Sequence, residues 1–365
     1  MKFTINKKTI EKHLENVSRA LISNNPFPAL TGIMISATSS EIQFIVSNGN
    51  LSIKESIQFD NNTQVEVSGK VLISGKIFKD VIKKQSDVIT ISVEGNLMNI
   101  TSNNSKVQIN LLDITEYPTI SFDGEGKEVV IEANTLNEII KNVSFAAAEN
   151  DKRIILNGVN LIAKEGKLKA SATNSYRLAQ SIVNIESNTE FNITILSKNL
   201  KDFYPTNAKG QLKINVDDNK IVTKYESSTI VSKLIDGVYP EVEKLIPTSF
   251  ESEVKIDSKH LIDLIERATV ISEESQKVVK LSINNSELTL ESKRKEIGDS
   301  SVSSNSFKSE TTNYSIAFNG QFLKEALSKF NGEVTIGFTG AYKPFIVKGE
   351  SNPNTVQMVL PHRSF

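Results

Sequence analysis

The chain has 365 residues, 38% of them hydrophobic and 23% charged, which is enough to bury two or three cores and excludes a disordered chain. It contains no cysteine, so a disulfide framework, a thiol nucleophile and a cysteine-based zinc site are all excluded. The formal net charge of −1, taken alone, argues mildly against a nucleic-acid binder, whose surface usually carries a basic excess.

The opening segment, MKFTINKKTIEKHL, begins with a short strand and is too charged for a secretory leader. No run of about eighteen apolar residues occurs, so no membrane-spanning helix is expected and a cytoplasmic location fits. Ile10, Leu14 and Val17 recur at helical spacing and predict a helix over 7–22. Ser74 is a reasonable cap for a second helix over 75–84, and alternating runs such as KVQINLL (106–112) predict half-buried strands. LLDITEYPTI (111–120) then leads into the polar link SFDGEGKE (121–128).

From there the pattern restarts. Leu136, Ile140 and Val143 predict a helix over 134–148, and Ser197 introduces another over 197–204. KLIDGVYPEV (233–242) repeats the Asp and Tyr-Pro arrangement of 111–120 and is followed by a second polar link. Leu261, Ile265 and Ala268 predict a helix over 258–272, and Asn319 precedes one over 320–330. The expectation is an α+β chain of three repeated modules, at 1–121, 128–247 and 253–365, each with two helices packed on antiparallel sheets.

Charge is segregated among these elements. The six predicted helices carry 15 Lys and Arg against 8 Asp and Glu, while the rest of the chain carries 27 against 35. Lys7, Lys8, Lys12 and Arg19 load the first helix, and Lys76, Lys79, Lys83 and Lys84 the second. Lys141, Lys198 and Lys201 continue the series in the middle module. A solvated helix face explains lysines on any one helix. Equivalent helices facing one way would form a continuous basic surface suited to a phosphate backbone. Few aromatics interleave with these lysines and tryptophan is absent, which favours duplex DNA over stacked single strands.

No catalytic set emerges. His13, His260 and His362 have no second ligand at helical spacing, and no phosphate loop, dinucleotide fingerprint or nucleophile elbow occurs. SGK at 74–76 lacks the preceding glycines and reads as a helix start. The chain is expected to be a binding or scaffolding protein without metal or cofactor. ATNSYRLAQ (172–180), RIILNGVNL (153–161) and the apolar tail MVLPHRSF (358–365) together suggest a groove for a short apolar peptide.

These stretches carry a resemblance. MKFTI at the start, LNG at 156–158, ATNSYRLA at 172–179, DGVYPEVEKLIP at 236–247 and LPHRSF at the end are similar to signatures of the beta sliding clamp family, the processivity subunits of bacterial DNA polymerase III. The resemblance covers essentially the whole chain. It implies a head-to-tail homodimer, a closed ring of six domains whose helices line a hole around duplex DNA. It implies partners too, the replicative polymerase and the clamp loader among them, which insert a short Gln- and Leu/Phe-containing segment into a pocket. One wall of that pocket would be Leu156, Thr173, Ser175, Tyr176, Arg177 and Leu178. The other would be Pro240, Lys244, Leu245, Tyr342 and Pro344, with Met358, Leu360, Pro361, His362 and Arg363 from the tail.

The departures are specific. Asn174-Ser175-Tyr176 stands where the family often has an Asp and a His before the Arg, so the bulkier Tyr176 is expected to narrow the pocket. Asn24 replaces a family arginine and Ile154–Ile155 an aromatic pair at the DNA; Asn150, Lys152 and Arg153 are expected to compensate. The resemblance puts the subunit interface at Val107 and Ile109 against Val270 and Ile271. A tandem β-sandwich adhesion protein is the alternative; it needs a signal peptide and has no use for basic helices.

Overall fold

The computed structural model describes residues 1–60, 63–272 and 277–362. The first repeat runs β1 (Lys2–Asn6), α1 (Lys7–Val17), β2 (Gly32–Ala37), β3 (Glu41–Ser47), β4 (Leu51–Gln58), β5 (Gln64–Val67), β6 (Gly69–Ser74), α2 (Gly75–Lys84), β7 (Val88–Glu94), β8 (Leu97–Ser102) and β9 (Ser105–Leu112). The second runs β10 (Lys127–Glu132), α3 (Ala133–Val143), β11 (Gly158–Lys164), β12 (Lys167–Thr173), β13 (Arg177–Asn184), β14 (Phe191–Leu196), α4 (Ser197–Phe203), β15 (Gln211–Val216), β16 (Lys220–Tyr225) and β17 (Ser228–Lys233). The third runs β18 (Ser252–Asp257), α5 (Ser258–Ala268), β19 (Val278–Asn284), β20 (Glu287–Arg294), β21 (Gly298–Ser304), β22 (Lys308–Ser309), β23 (Asn313–Asn319), α6 (Gly320–Leu327), β24 (Glu333–Phe338), β25 (Phe345–Gly349) and β26 (Thr355–Val359).

All six helices sit where apolar spacing or a Ser or Asn at the start put them; five end sooner than expected, while α2 has the expected bounds. Hydroxyls cut several of them short. Ser18 Oγ donates to the Leu14 carbonyl at 2.5 Å, Thr269 Oγ1 to Ile265 at 2.8 Å and Ser328 Oγ to Glu325 at 2.6 Å. Ser328 takes over a carbonyl that the next helical N–H would otherwise use, while the Ser18 and Thr269 hydroxyls share theirs with their own N–H groups. Asn319 caps α6 by accepting from the Gln321 and Phe322 N–H groups. Ser74 precedes α2 without a side-chain cap bond, and Ser197 lies inside α4, its hydroxyl donating to the Ser144 carbonyl.

The chain divides into two compact units: residues 1–136 with 199–234, and residues 137–198 with 235 onward. In the first, thirteen strands follow the order β10-β15-β16-β17-β4-β3-β2-β6-β9-β8-β7-β1-β5. In the second, nine strands follow β14-β11-β12-β13-β26-β25-β24-β18-β22 and four follow β21-β20-β19-β23. One rule generates both long sheets. The third strand of a repeat's hairpin set pairs antiparallel with the last strand of the next repeat: β4 with β17, where Glu55 faces Ser228, and β13 with β26, where Ser181 faces Thr355.

The repeated Tyr-Pro stretches fasten these junctions. Tyr117 is buried with Leu72, Val222 and Val231 in the first unit, and Tyr239 with Leu178, Ile346 and Met358 in the second. Burial pushes both phenols above their ordinary range, and both remain hydrogen-bonded: Tyr117 Oη donates to the Ile45 carbonyl, and Tyr239 Oη accepts the Thr173 N–H at 3.1 Å. The link between them needs glycine at one place. Gly126 has φ +90°, and a Cβ there would lie 2.3 Å from the Val216 carbonyl oxygen.

A candidate peptide groove and a basic helix face

The groove is built in the second unit on β13, β25 and β26. Leu178 faces Met358 across the β13–β26 ladder, and Met358 faces Ile346 across β25–β26. With Tyr239 and Val242 these form a buried apolar floor, against which Ile155, Ile246, Phe250 and Leu360 pack half-buried. Tyr176, Leu245 and Tyr342 are 65%, 59% and 76% exposed.

The turn that presents Tyr176 is braced by its own polar residues. Asn174 Oδ1 accepts from the Tyr176 and Arg177 N–H groups, both at 3.0 Å. Thr173 Oγ1 donates to the Arg177 carbonyl and accepts the Ser175 N–H. Ser175 is held at φ +73°, a left-handed conformation that a serine adopts only when its surroundings insist. Arg153 reaches the Ser175 hydroxyl at 3.0 Å while clamping Asp151 with two bonds. Those bonds hold the Asp151 carboxyl down at about 2.

The tail is tied in rather than loose. The Leu360 N–H donates to the Tyr176 carbonyl, the His362 N–H to the Ala317 carbonyl, and Pro361 bridges Phe318. Thr173, Leu178, Met358 and Leu360 of the expected pocket are thus brought together. Ser175 and Tyr176 lie on the turn above the floor, Lys244 and Leu245 on a short turn of helix beside it, and Tyr342 and Pro344 just before β25. Leu156 is buried and Pro240 exposed nearby in sequence. Arg363 lies outside the described residues.

Arg177 is a correction. Successive strand residues face opposite ways, so with Leu178 on the floor Arg177 points to the other face. There its guanidinium bonds Glu325 and the Phe145 carbonyl and lies over the Phe145 and Phe322 rings, at 5.1 Å and 4.7 Å. It braces α6 against β13 and does not line the groove.

The first unit carries the basic face. The Lys7 ammonium donates to the Lys83 carbonyl at 3.0 Å, setting the start of α1 beside the end of α2. Phe78 and Ile82 turn inward, leaving Lys8, Lys12, Lys76, Lys83 and Lys84 exposed and Lys79 half-exposed beside Glu11 and Glu15. Lys201 on α4 and Asn24 on the loop after α1 are exposed too, and so is the neighbouring Phe27, which the sequence reading passed over. Arg19 belongs elsewhere: its guanidinium is half-buried and spent on the Asp202 and Tyr204 carbonyls, so it is a brace rather than a free cation. In the second unit Lys141, Asn150, Lys152 and Lys198 are exposed. On α5 and α6, Lys324 meets Glu266 at 2.5 Å and Arg267 meets Asp263 at 2.8 Å.

His13 is a core residue of the first unit. Its Nδ1 donates to Glu55 Oε2 at 2.6 Å, and Glu55, fully buried, also accepts from the Ser227 and Ser228 hydroxyls. Burial alone would raise the Glu55 carboxyl; the bonds from His13, Ser228 and Ser227 outweigh it and hold the group below the ordinary range. Among the described residues no group of three or more metal-ligating side chains converges, and no helix is long and apolar enough to cross a membrane.

Family models for the N-terminal, central and C-terminal domains of the DNA polymerase III beta subunit match residues 1–121, 130–241 and 243–363 in turn. The chain belongs to the beta sliding clamp family. The beta sliding clamp of Mycoplasmopsis pulmonis is 30% identical and that of Bacillus subtilis 28% identical, each over the full length of both chains. Among solved structures, the DNA polymerase sliding clamp from Bacillus subtilis superposes with a TM-score of 0.93 at 27% identity, and the DNA polymerase III beta chain from Streptococcus pneumoniae with 0.93 at 28%, each covering both chains fully. A sliding clamp is a processivity factor for DNA polymerase, and its α+β architecture of three related domains is the one described above. β21 ends its sheet, and β9, between β6 and β8, meets β6 only at Leu111 and Leu112; the sequence reading singled out Val107 and Ile109 on β9 but nothing on β21.

Proposed function

We propose that two copies of this chain close head-to-tail into a ring that encircles duplex DNA, slides along it without sequence preference and tethers the replicative polymerase. Binding, not catalysis, is its role, and it works in the cytoplasm. Three modules, at 1–121, 128–247 and 253–365, make up each copy. The observation that carries the reading is a pair of unmatched edges. β21 pairs only with β20, and β9 pairs with β8 through Ser105–Asn110 while meeting β6 only at Leu111 and Leu112.

By position in the repeats these are the two strands that β4–β17 and β13–β26 leave over. Glu55, Ser181 and Val302 are equivalent, facing Phe44, Ala170 and Leu290 in their hairpins. Ser228 and Ser105 each open their strand after a hairpin turn. The same register therefore sets Val302 against Ser105 of a second copy, and Ser300 against Val107. Joining the edges removes exposed backbone donors and acceptors that otherwise invite uncontrolled pairing. Val270, 77% exposed, and half-buried Val107 suit the same contact, whereas Ile109 is buried in its own core and contributes through its backbone.

The lysines of α1 and α2 would face the enclosed duplex, where retention is topological and contacts stay weak and mobile. The groove over Leu178 and Met358 would take the peptide segment of the polymerase, the clamp loader and other partners. The test is mass and topology. The protein should run as twice 40.3 kDa, stay on a nicked circular plasmid after loading and leave once the plasmid is linearised. Retention indifferent to linearisation would refute the ring.

A further inference from the structure

Few aromatics stand among the lysines in sequence, but the fold brings one beside them. Phe27 is 69% exposed, on the loop between α1 and β2. Both ends of that loop close on the first residue of α2: a Cβ at Gly75 would lie 2.7 Å from the Leu21 side chain and 3.1 Å from the Thr31 carbonyl oxygen. Lys76, the next residue, is exposed. Helix α2 carries Lys76, Lys79, Lys83 and Lys84 against Asp80 alone, α1 carries Lys7, Lys8 and Lys12 against Glu11 and Glu15, and residues 20–31 carry no charge at all.

A single apolar side chain in water is ordinary. This one is also held rigidly. Pro26 and Pro28 fix the backbone on either side. Asn25 Oδ1 accepts the Phe27 N–H at 3.0 Å, and the Phe27 carbonyl accepts the Leu30 N–H at 3.0 Å. The turn that follows, Pro28–Thr31, is closed by the Thr31 hydroxyl donating to the Pro28 carbonyl at 2.7 Å, and it plants Ala29 and Leu30 in the core with Met34 and Leu72. A phenyl face fixed in this way meets a flat partner at little cost in conformational entropy.

We infer that Phe27 stacks on an unpaired base of the DNA, where duplex gives way to single strand, while Lys76 and the other lysines of α2 attract the adjoining phosphates. Every base offers a flat π face whatever its identity, and its backbone brings the negative charge that the lysines complement. Within a duplex both faces of a base are taken up by its neighbours, so Phe27 distinguishes a junction from continuous duplex. The inference rests on the ring reading above and adds a structural feature of DNA that the ring recognises.

The experiment uses the full-length protein and two labelled DNAs at low salt, a blunt duplex and the same duplex with an oligothymidine overhang. A fluorescent adenine analogue at the first unpaired position reports stacking. The unaltered protein should bind the overhang DNA more tightly than the blunt one and change the emission of the analogue. Phe27→Ala and Phe27→Leu should each weaken binding of the overhang DNA by about five- to fiftyfold and abolish that change, leaving the blunt duplex within about twofold. Phe27→Trp should keep both. Equal binding of the overhang DNA by Phe27→Ala, or full binding by Phe27→Leu, overturns the stacking and leaves the ring standing. Failure of the unaltered protein to bind either DNA removes the basic face on which both readings depend.

Discussion

At Glu55 a fully buried carboxylate is sustained by three donors, His13, Ser227 and Ser228. Its pKa is depressed in the folded state, so its stabilisation is present above the ordinary glutamate value of about 4.3 and is lost as pH falls through the lowered one. Glu55→Gln should cost about 1–3 kcal/mol at pH 7, since the buried His13 and serine donors keep only a weaker acceptor. It should also flatten the fall in stability below about pH 4.3, as denaturant titrations at stepped pH would read. Ser175 makes a second case. Its φ of +73° favours glycine, but its hydroxyl accepts from Arg153. Ser175→Gly should therefore change stability by less than about 1 kcal/mol, whereas Asn174→Ala, which strips two acceptor bonds from the turn, should weaken peptide affinity by freeing Tyr176. Calorimetric titration with a Gln- and Leu/Phe-containing peptide separates the two.

Among the elements, α2 carries the densest basic charge, while Arg267 on α5 and Lys324 on α6 have acids beside them. On the proposed ring reading, the attraction for a phosphate backbone is concentrated on the first repeat. Lys76→Glu with Lys79→Glu should leave stability within about 0.5 kcal/mol, because neither residue is buried. It should lower the slope of log K against log salt for duplex binding by about two, close to one per lysine lost. Lys324→Glu, which removes a cation already matched by Glu266, should change that slope by less than half as much. Equal effects at both helices, measured across a salt series, would mean that the local pairing on α5 and α6 does not persist at the DNA.

At the scale of the whole molecule, the argument turns on which strand edges are free. Ser56 N donates to the Ser227 carbonyl across β4–β17, and Ile182 N to the Asn354 carbonyl across β13–β26. Counting in twos from the equivalent position on β21, the Ser301 and Ser303 N–H groups point outward, away from β20. Ser301→Pro removes one such donor without breaking the β20–β21 ladder. It should leave the circular dichroism of the chain unchanged and weaken the dimer at least about tenfold by sedimentation, since it deletes a pairing bond and clashes with the incoming strand. A dimer of full strength in that variant would place the subunit contact away from β21.

Apolar periodicity located three helices, because Ile10, Leu136 and Leu261 and their followers recur at 3.6 residues whatever the chain does elsewhere, and Ser74, Ser197 and Asn319 marked the starts of the other three. Local patterns also revealed the three repeats and the excess of lysine on the helices, while Leu245 and Tyr342 entered the candidate groove only through the family resemblance. Other features were decided by contacts between residues far apart in the chain. Burying Glu55 against Ser227 and Ser228, turning Arg177 onto Glu325 and anchoring Arg19 on α4 all depend on which elements become neighbours. Side-chain spacing fixes which face of an element is apolar, but a charge has no visible partner until the fold brings one within a few ångströms. An edge is likewise free only once every other strand has been placed.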